Sequence, residues 1–347
     1  MRVKSLDKIR IIAITLVVLV HTSAQWISYG NMDLVYITEF SNIISFVGVG
    51  LFAMLSGALM LSHEKKVTVK SAVKKAFHFL FLYFFWKGFY LCFDRIIAGG
   101  IGVSDIKPLI LSLIRERGYY HLWYLAMLFW ILLLIPLIRK GCEEKKVCEL
   151  YLIPFLLLSV ILPAAAYFDY PFRYTVSDFV TNLEPLYYAG YLGFFILGHY
   201  LYEWNTGWSK FKKLSVTAAA VITFAVFWIN AVGRSLDAGK MFTDFSTPFN
   251  PGCVLLCVAV FICIADNKKK TGNDSKEIGL YERLSRGAFG VYIIHPLVIV
   301  FLSKENVVGT LLPNAWGIPV LLLIILIISY AISLILNLIP VIKKLMG

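Results

Sequence analysis

Residues 10–28 read RIIAITLVVLVHTSAQWIS, and the reading of this stretch decides the fold. Between Arg10 and His21 every residue from Ile11 to Val20 is apolar except Thr15. As a helix rising about 1.5 Å per residue, the stretch spans roughly 28 Å. That is close to the ~30 Å hydrocarbon thickness of a bilayer. Inside lipid the backbone must satisfy its own N–H and C=O groups, so only helices and closed barrels cross it. A continuous apolar run of this length belongs to a helix. Nine more runs follow at 43–62, 77–97, 121–138, 150–168, 186–203, 214–233, 251–266, 287–303 and 317–341. The expected fold is all-α: a polytopic membrane bundle of about ten transmembrane helices. Residues 1–347 are expected to form one membrane-embedded domain with no separate soluble domain.

Composition agrees. The 347 residues are 59% hydrophobic and 16% charged, against about 45–50% and 25% in soluble chains. The apolar excess must face something other than water. With ten spans both termini lie on one side, and that side carries 24 of the 33 Lys and Arg residues. They sit in short clusters at 2–10, 65–75, 139–146, 210–213, 268–286 and 343–344, while the opposite side holds eight and Lys87 lies inside the third run. This bias places both termini in the cytoplasm. It also accounts for the net charge of +12 without a nucleic-acid partner, because no cluster continues into a patch. The basic, then apolar, first 28 residues resemble a secretory signal, but His21 interrupts the core and no small-x-small cleavage site follows it. We therefore expect a retained helix. Residues 266–286 form the most polar segment and are expected to be a cytoplasmic connector. The six cysteines show no CxxC spacing and read as buried hydrophobes or free thiols, with no metal site.

Ionisable groups inside a span are costly, so each is a candidate functional residue. Arg10 and His21 are eleven residues apart, close to three helical turns, and share one helix face about 16 Å apart along the axis. Asp7, three residues before Arg10, can pair with it. Histidine, with a near-neutral pKa, is the usual general base. His21 is the leading catalytic candidate, beside the alternative of a histidine simply hydrogen-bonded within the bundle. His121, at the start of the fourth run, lies in Tyr120-His121-Leu122-Trp123-Tyr124, which also fits an interfacial aromatic belt. His295 precedes Pro296, and its ring can satisfy a carbonyl that the proline leaves free. Lys87 and His199 read as buried partners or snorkelling groups rather than reactants. Arg115, Arg117 and Glu184 lie at the non-cytoplasmic side, where the plain reading is a solvated loop. The chain contains no Walker A loop, GxSxG, HExxH or GxGxxG.

Arginine, ten residues, then histidine in a first helix resembles the signature of the acyltransferase-3 family of bacterial integral membrane O-acyltransferases. Four further stretches are similar to that family. They are Phe52-Ala53-Met54-Leu55-Ser56-Gly57, the basic pair Lys74-Lys75, Tyr120-His121-Leu122-Trp123-Tyr124-Leu125, and Leu284-Ser285-Arg286 through Gly290-Val291-Tyr292 to His295-Pro296-Leu297. The resemblance spans nearly the whole chain. The closest likeness is to members that O-acetylate surface polysaccharide. Isoleucine stands where the family often has glycine after the arginine, and lysines replace arginines in the basic pair; lysine is the poorer bidentate ligand for phosphate.

The resemblance implies an acyl-CoA co-substrate, most simply acetyl-CoA, arriving from the cytoplasm, with no bound cofactor. It implies a hydroxyl acceptor on a cell-surface or lipid-linked glycan, and a multi-pass location in the bacterial cytoplasmic membrane. His21 would be the base or acyl relay, while Arg10, Lys70, Lys74 and Lys75 would hold donor phosphates. Ser56, Arg115, Arg117, His121, Trp123, Glu184, Tyr292 and His295 would support the site or bind the acceptor. Two other readings compete: a transporter or flippase of a small solute or lipid-linked sugar, and a catalytically silent scaffold. Oligomeric state is not written in the sequence.

Overall fold

The computed structural model describes residues 4–62, 67–100, 102, 105–116, 118–165, 175, 185–204, 207–265 and 278–345, and every regular element among them is a helix. Among the described residues helix is found in each of the ten apolar runs, and eight helices are long and apolar enough to cross a membrane. The other two runs hold the shorter apolar helix Pro251–Ile264 and the 19-residue helix Pro185–Glu203. Packing divides the chain into two compact units, Met1–Ser62 with Lys145–Gly347, and His63–Glu144.

The larger unit starts with α1, Lys4–Tyr29, six residues longer at its start than the apolar run because Asp7 and Arg10 satisfy each other on its first turns. Gly30, at φ 70°, ends it by returning its N–H to the Trp26 carbonyl, the left-handed stop that glycine adopts at low cost. The second run differs from expectation. It begins earlier and is split into α2, Val35–Ser45, and α3, Val47–Met60, with the break at Phe46. Thiols from a later helix sit at this break: Cys253 and Cys257 donate to the carbonyls of Ile43 and Val47, each at 3.3 Å.

In the smaller unit, α4 is Val69–Ile97, α5 is Ile106–Arg115 and α6 is Trp123–Gly141. The segment between the third and fourth runs is therefore not plain loop. Helix α5 exposes Ile106, Ile110, Leu111 and Ile114. Lys87, buried in α4, donates to the carbonyls of Leu113 (2.9 Å) and Glu116. The mid-span lysine thus caps the negative end of α5.

Returning to the larger unit, α7 is Lys145–Ala165, with a π-helical stretch at Phe155–Ile161. Residues 166–168 of the expected fifth run lie outside the described residues. Then come α8, Pro185–Glu203; α9, Lys210–Ala238; α10, Pro251–Ile264; and α11, Ile278–Lys304. The expected polar connector 266–286 is helical from Ile278 onward, and 266–277 are outside the described residues. Short α12, Val307–Leu311, precedes α13, Gly317–Leu336, and α14, Pro340–Leu345.

Two helix pairs organise the larger unit. Helices α3 and α8 approach through glycine: a methyl on Gly57 would lie 1.7 Å from the Phe195 carbonyl oxygen, and one on Gly198 2.0 Å from that of Met54. Small residues permit such close backbones in membrane bundles. The other pair is α1 with α11.

Candidate functional site

Helices α1 and α11 run parallel and in register. Lys8 Nζ lies 5.4 Å from the Tyr281 ring centroid, Arg10 meets Ser285, and His21 meets His295, so the partners rise together along both helices. The spacing of Arg10 and His21 leaves only about 20° between their directions on α1, which is why one neighbour reaches both.

At the lower level, Arg10 Nη1 donates to Asp7 Oδ1 at 2.9 Å and to Ser285 Oγ at 2.6 Å. Ser285 Oγ donates in turn to Asp7 Oδ1 at 2.6 Å. Asp7 is 5% exposed and Ser285 3%, whereas 26% of the Arg10 side chain remains accessible. A buried carboxylate and hydroxyl thus hold a guanidinium that still reaches the surface. Such charge-assisted bonds are about twice as strong as neutral ones.

Three turns on, the His21 and His295 rings stack with centroids 5.1 Å apart and planes 25° from parallel. His295 is fully buried, and its Nδ1 lies 3.0 Å from the Val291 carbonyl. A carbonyl only accepts, so Nδ1 carries hydrogen, and in the neutral ring Nε2 holds the lone pair. Pro296 removes the donor that the Tyr292 carbonyl would have had, whereas the carbonyl met by the His295 ring at 3.0 Å is the preceding one, that of Val291. Tyr292 is 8% exposed, with its ring centroid 6.5 Å from that of His295. Ser56 is half-buried on α3, which packs on α1.

In the smaller unit, Lys70, Lys74 and Lys75 are exposed on the first turns of α4. Thr68 and Ser71 cap that helix reciprocally. Lysines there oppose the helix dipole, so the local field strongly favours an anion. His121 is 2% exposed, its ring enclosed by Tyr90 (5.2 Å), Tyr119 (5.9 Å) and Tyr120 (5.6 Å). Burial, with the charge of Asp94, pushes the Tyr119 hydroxyl above its ordinary pKa, keeping it a neutral donor. Trp123 opens α6, 40% exposed, against Tyr124. Arg115 is exposed on the last turn of α5. Arg117 and Glu184 lie outside the described residues. His199 is fully buried on α8 beside Trp204.

Two polar residues escaped the sequence reading. Ser285 lay within a recognised stretch but carries no charge to mark it. Glu39 fell before the expected start of the second run, yet it is fully buried on α2. Its Oε1 accepts from Ser235 Oγ at 2.7 Å and from the Phe242 backbone N–H at 2.9 Å. On the same face Asn42 donates to Ser246. These two side chains fasten the segment between α9 and α10 to α2. Extending the second run four residues toward its N-terminus would have revealed the carboxylate.

A family profile described as an acyltransferase domain, acyltransferase 3, matches residues 3–337. Comparison with curated proteins and with solved structures found no match.

Proposed function

Because the chain belongs to the acyltransferase-3 family and so is a membrane acyltransferase, we propose that it moves an acetyl group from acetyl-CoA to a hydroxyl of a cell-surface or lipid-linked glycan, with His21 as the base. The observation that carries this reading is the α1 face itself: a presented guanidinium and, three turns away, an imidazole backed by a second imidazole. CoA has phosphates at one end and its thioester at the end of a long pantetheine arm. A cation and a base separated by about 16 Å along one helix suit those two ends.

Arg10 binds a donor phosphate, and Lys70, Lys74 and Lys75, on the smaller unit, are the further donor-binding candidates. At the reacting end, His21 takes the proton of the acceptor hydroxyl as its oxygen attacks the thioester carbonyl. The C–O bond forms, the C–S bond breaks, and the CoA sulfur leaves with the proton returned by His21. His295, fixed through its Nδ1–H, orients the His21 ring, and Tyr292 packs beside it. Ser56, His121, Trp123, Arg115, Arg117 and Glu184 are the acceptor-side candidates. The enzyme works without a bound cofactor as one domain in the bacterial cytoplasmic membrane. The charge bias of its loops supports a cytoplasmic position for both termini and for the donor.

The test is consumption of acetyl-CoA by the purified full chain with release of CoA. His21→Ala lowers the rate by about 10²–10⁴-fold, the usual worth of a positioned base, with the melting temperature retained. An undiminished rate would remove His21 from the chemistry. Solute flux with the thioester left intact would replace the enzyme by a transporter.

A further inference from the structure

We propose that Ser285 is a positioning residue for acyl-CoA recognition, setting the Arg10 guanidinium from the neighbouring helix so that it meets the donor phosphates. The inference rests on the reading of Arg10 as the donor-phosphate ligand and adds a second helix to that function.

The geometry is a closed triangle. Arg10 Nη1, Asp7 Oδ1 and Ser285 Oγ stand 2.9, 2.6 and 2.6 Å apart. Asp7 alone fixes the guanidinium only from its own helix, one turn below, and a single i,i+3 ion pair leaves an arginine rotamer freedom. Ser285 adds a constraint from a chain segment 275 residues away. Its hydroxyl is both acceptor to Arg10 and donor to Asp7, so it orients cation and anion together. The result is an arginine held from two helices and still 26% accessible. This is the preorganisation that lowers the entropic cost of capturing a ligand. Serine is also a small residue at a parallel helix contact, where a larger side chain would separate α1 from α11. Because α11 carries Ser285 and His295 in register with Arg10 and His21, the same helix steadies both ends of the donor site.

Acetyl-CoA affinity of the detergent-solubilised full chain, measured calorimetrically, tests this as a double-mutant cycle. Ser285→Ala weakens binding about tenfold, the scale of one charge-assisted hydrogen bond. In turnover the loss appears in KM for acetyl-CoA, with kcat within about twofold, since binding and not chemistry is affected. In an Arg10→Ala background the same serine substitution changes affinity less than about twofold, because its target is gone. Equal losses in both backgrounds would show that Ser285 acts on structure generally and would overturn the proposal. So would unchanged affinity in Ser285→Ala when Arg10→Ala binds weakly; the donor-site reading would then stand without it. Unchanged affinity in Arg10→Ala would sink the donor-site reading and this proposal together. The melting curve of each variant is recorded beside its affinity, and a cooperative transition retained above the assay temperature separates these outcomes from misfolding.

Discussion

Glu39 carries no chemistry in the scheme above, yet it is the most completely buried acid described. Its Oε1 gathers an O–H and an N–H that would otherwise be orphaned among apolar helices. Replacing it by alanine strands both donors, and each unsatisfied buried group costs about 1–3 kcal/mol. Glu39→Ala is therefore expected to lower the denaturation midpoint clearly. Glu39→Gln, which keeps an acceptor oxygen in place, recovers most of the loss. Melting curves of the two variants decide it, and equal behaviour would mean the carboxyl is not a fastening. At this scale the sequence was legible where polarity and period coincide, as at Asp7, Arg10 and His21. It was silent where a residue earns its role across the bundle. Nothing local in Leu284-Ser285-Arg286 announces that the serine meets an arginine 275 positions earlier.

Helix pairs show the same division between what period reveals and what packing decides. The apolar runs foretold where helix forms, because length and hydropathy are properties of single segments. The break at Phe46, the α5 helix and the early start of α11 were not foretold. The first two depend on partners: thiols from α10 at the break, the ammonium of Lys87 at the end of α5. Contact also decides what a glycine is for. Gly57 and Gly198 face carbonyl oxygens of the opposing helix, so Gly57→Ala or Gly198→Ala must push α3 and α8 apart. A cost of about 1–3 kcal/mol or more follows from overpacking. Gly233, within α9, has no neighbour within 4 Å, and Gly233→Ala is expected to stabilise by roughly 0.5–1 kcal/mol through helix propensity. Opposite signs in a denaturant titration would confirm the distinction.

For the whole molecule, orientation is a matter of counted charge. Twenty-four of the 33 basic residues fall on one side of the alternating runs. A cysteine placed in a cysteine-free background at Thr243 or Asn314 is expected to react with an impermeant thiol reagent in intact cells. One at Ser209 reacts only after lysis, and the reverse pattern would invert the topology. The parallel pairing of α1 with α11 has one more consequence, concerning time. The first helix leaves the ribosome nearly 300 residues ahead of its partner, so at about 5–20 residues per second it waits on the order of tens of seconds. During that interval the contacts of His21 with His295 and of Arg10 with Ser285 do not yet exist. On the proposed mechanism, a chain truncated before α11 is expected to leave acetyl-CoA intact.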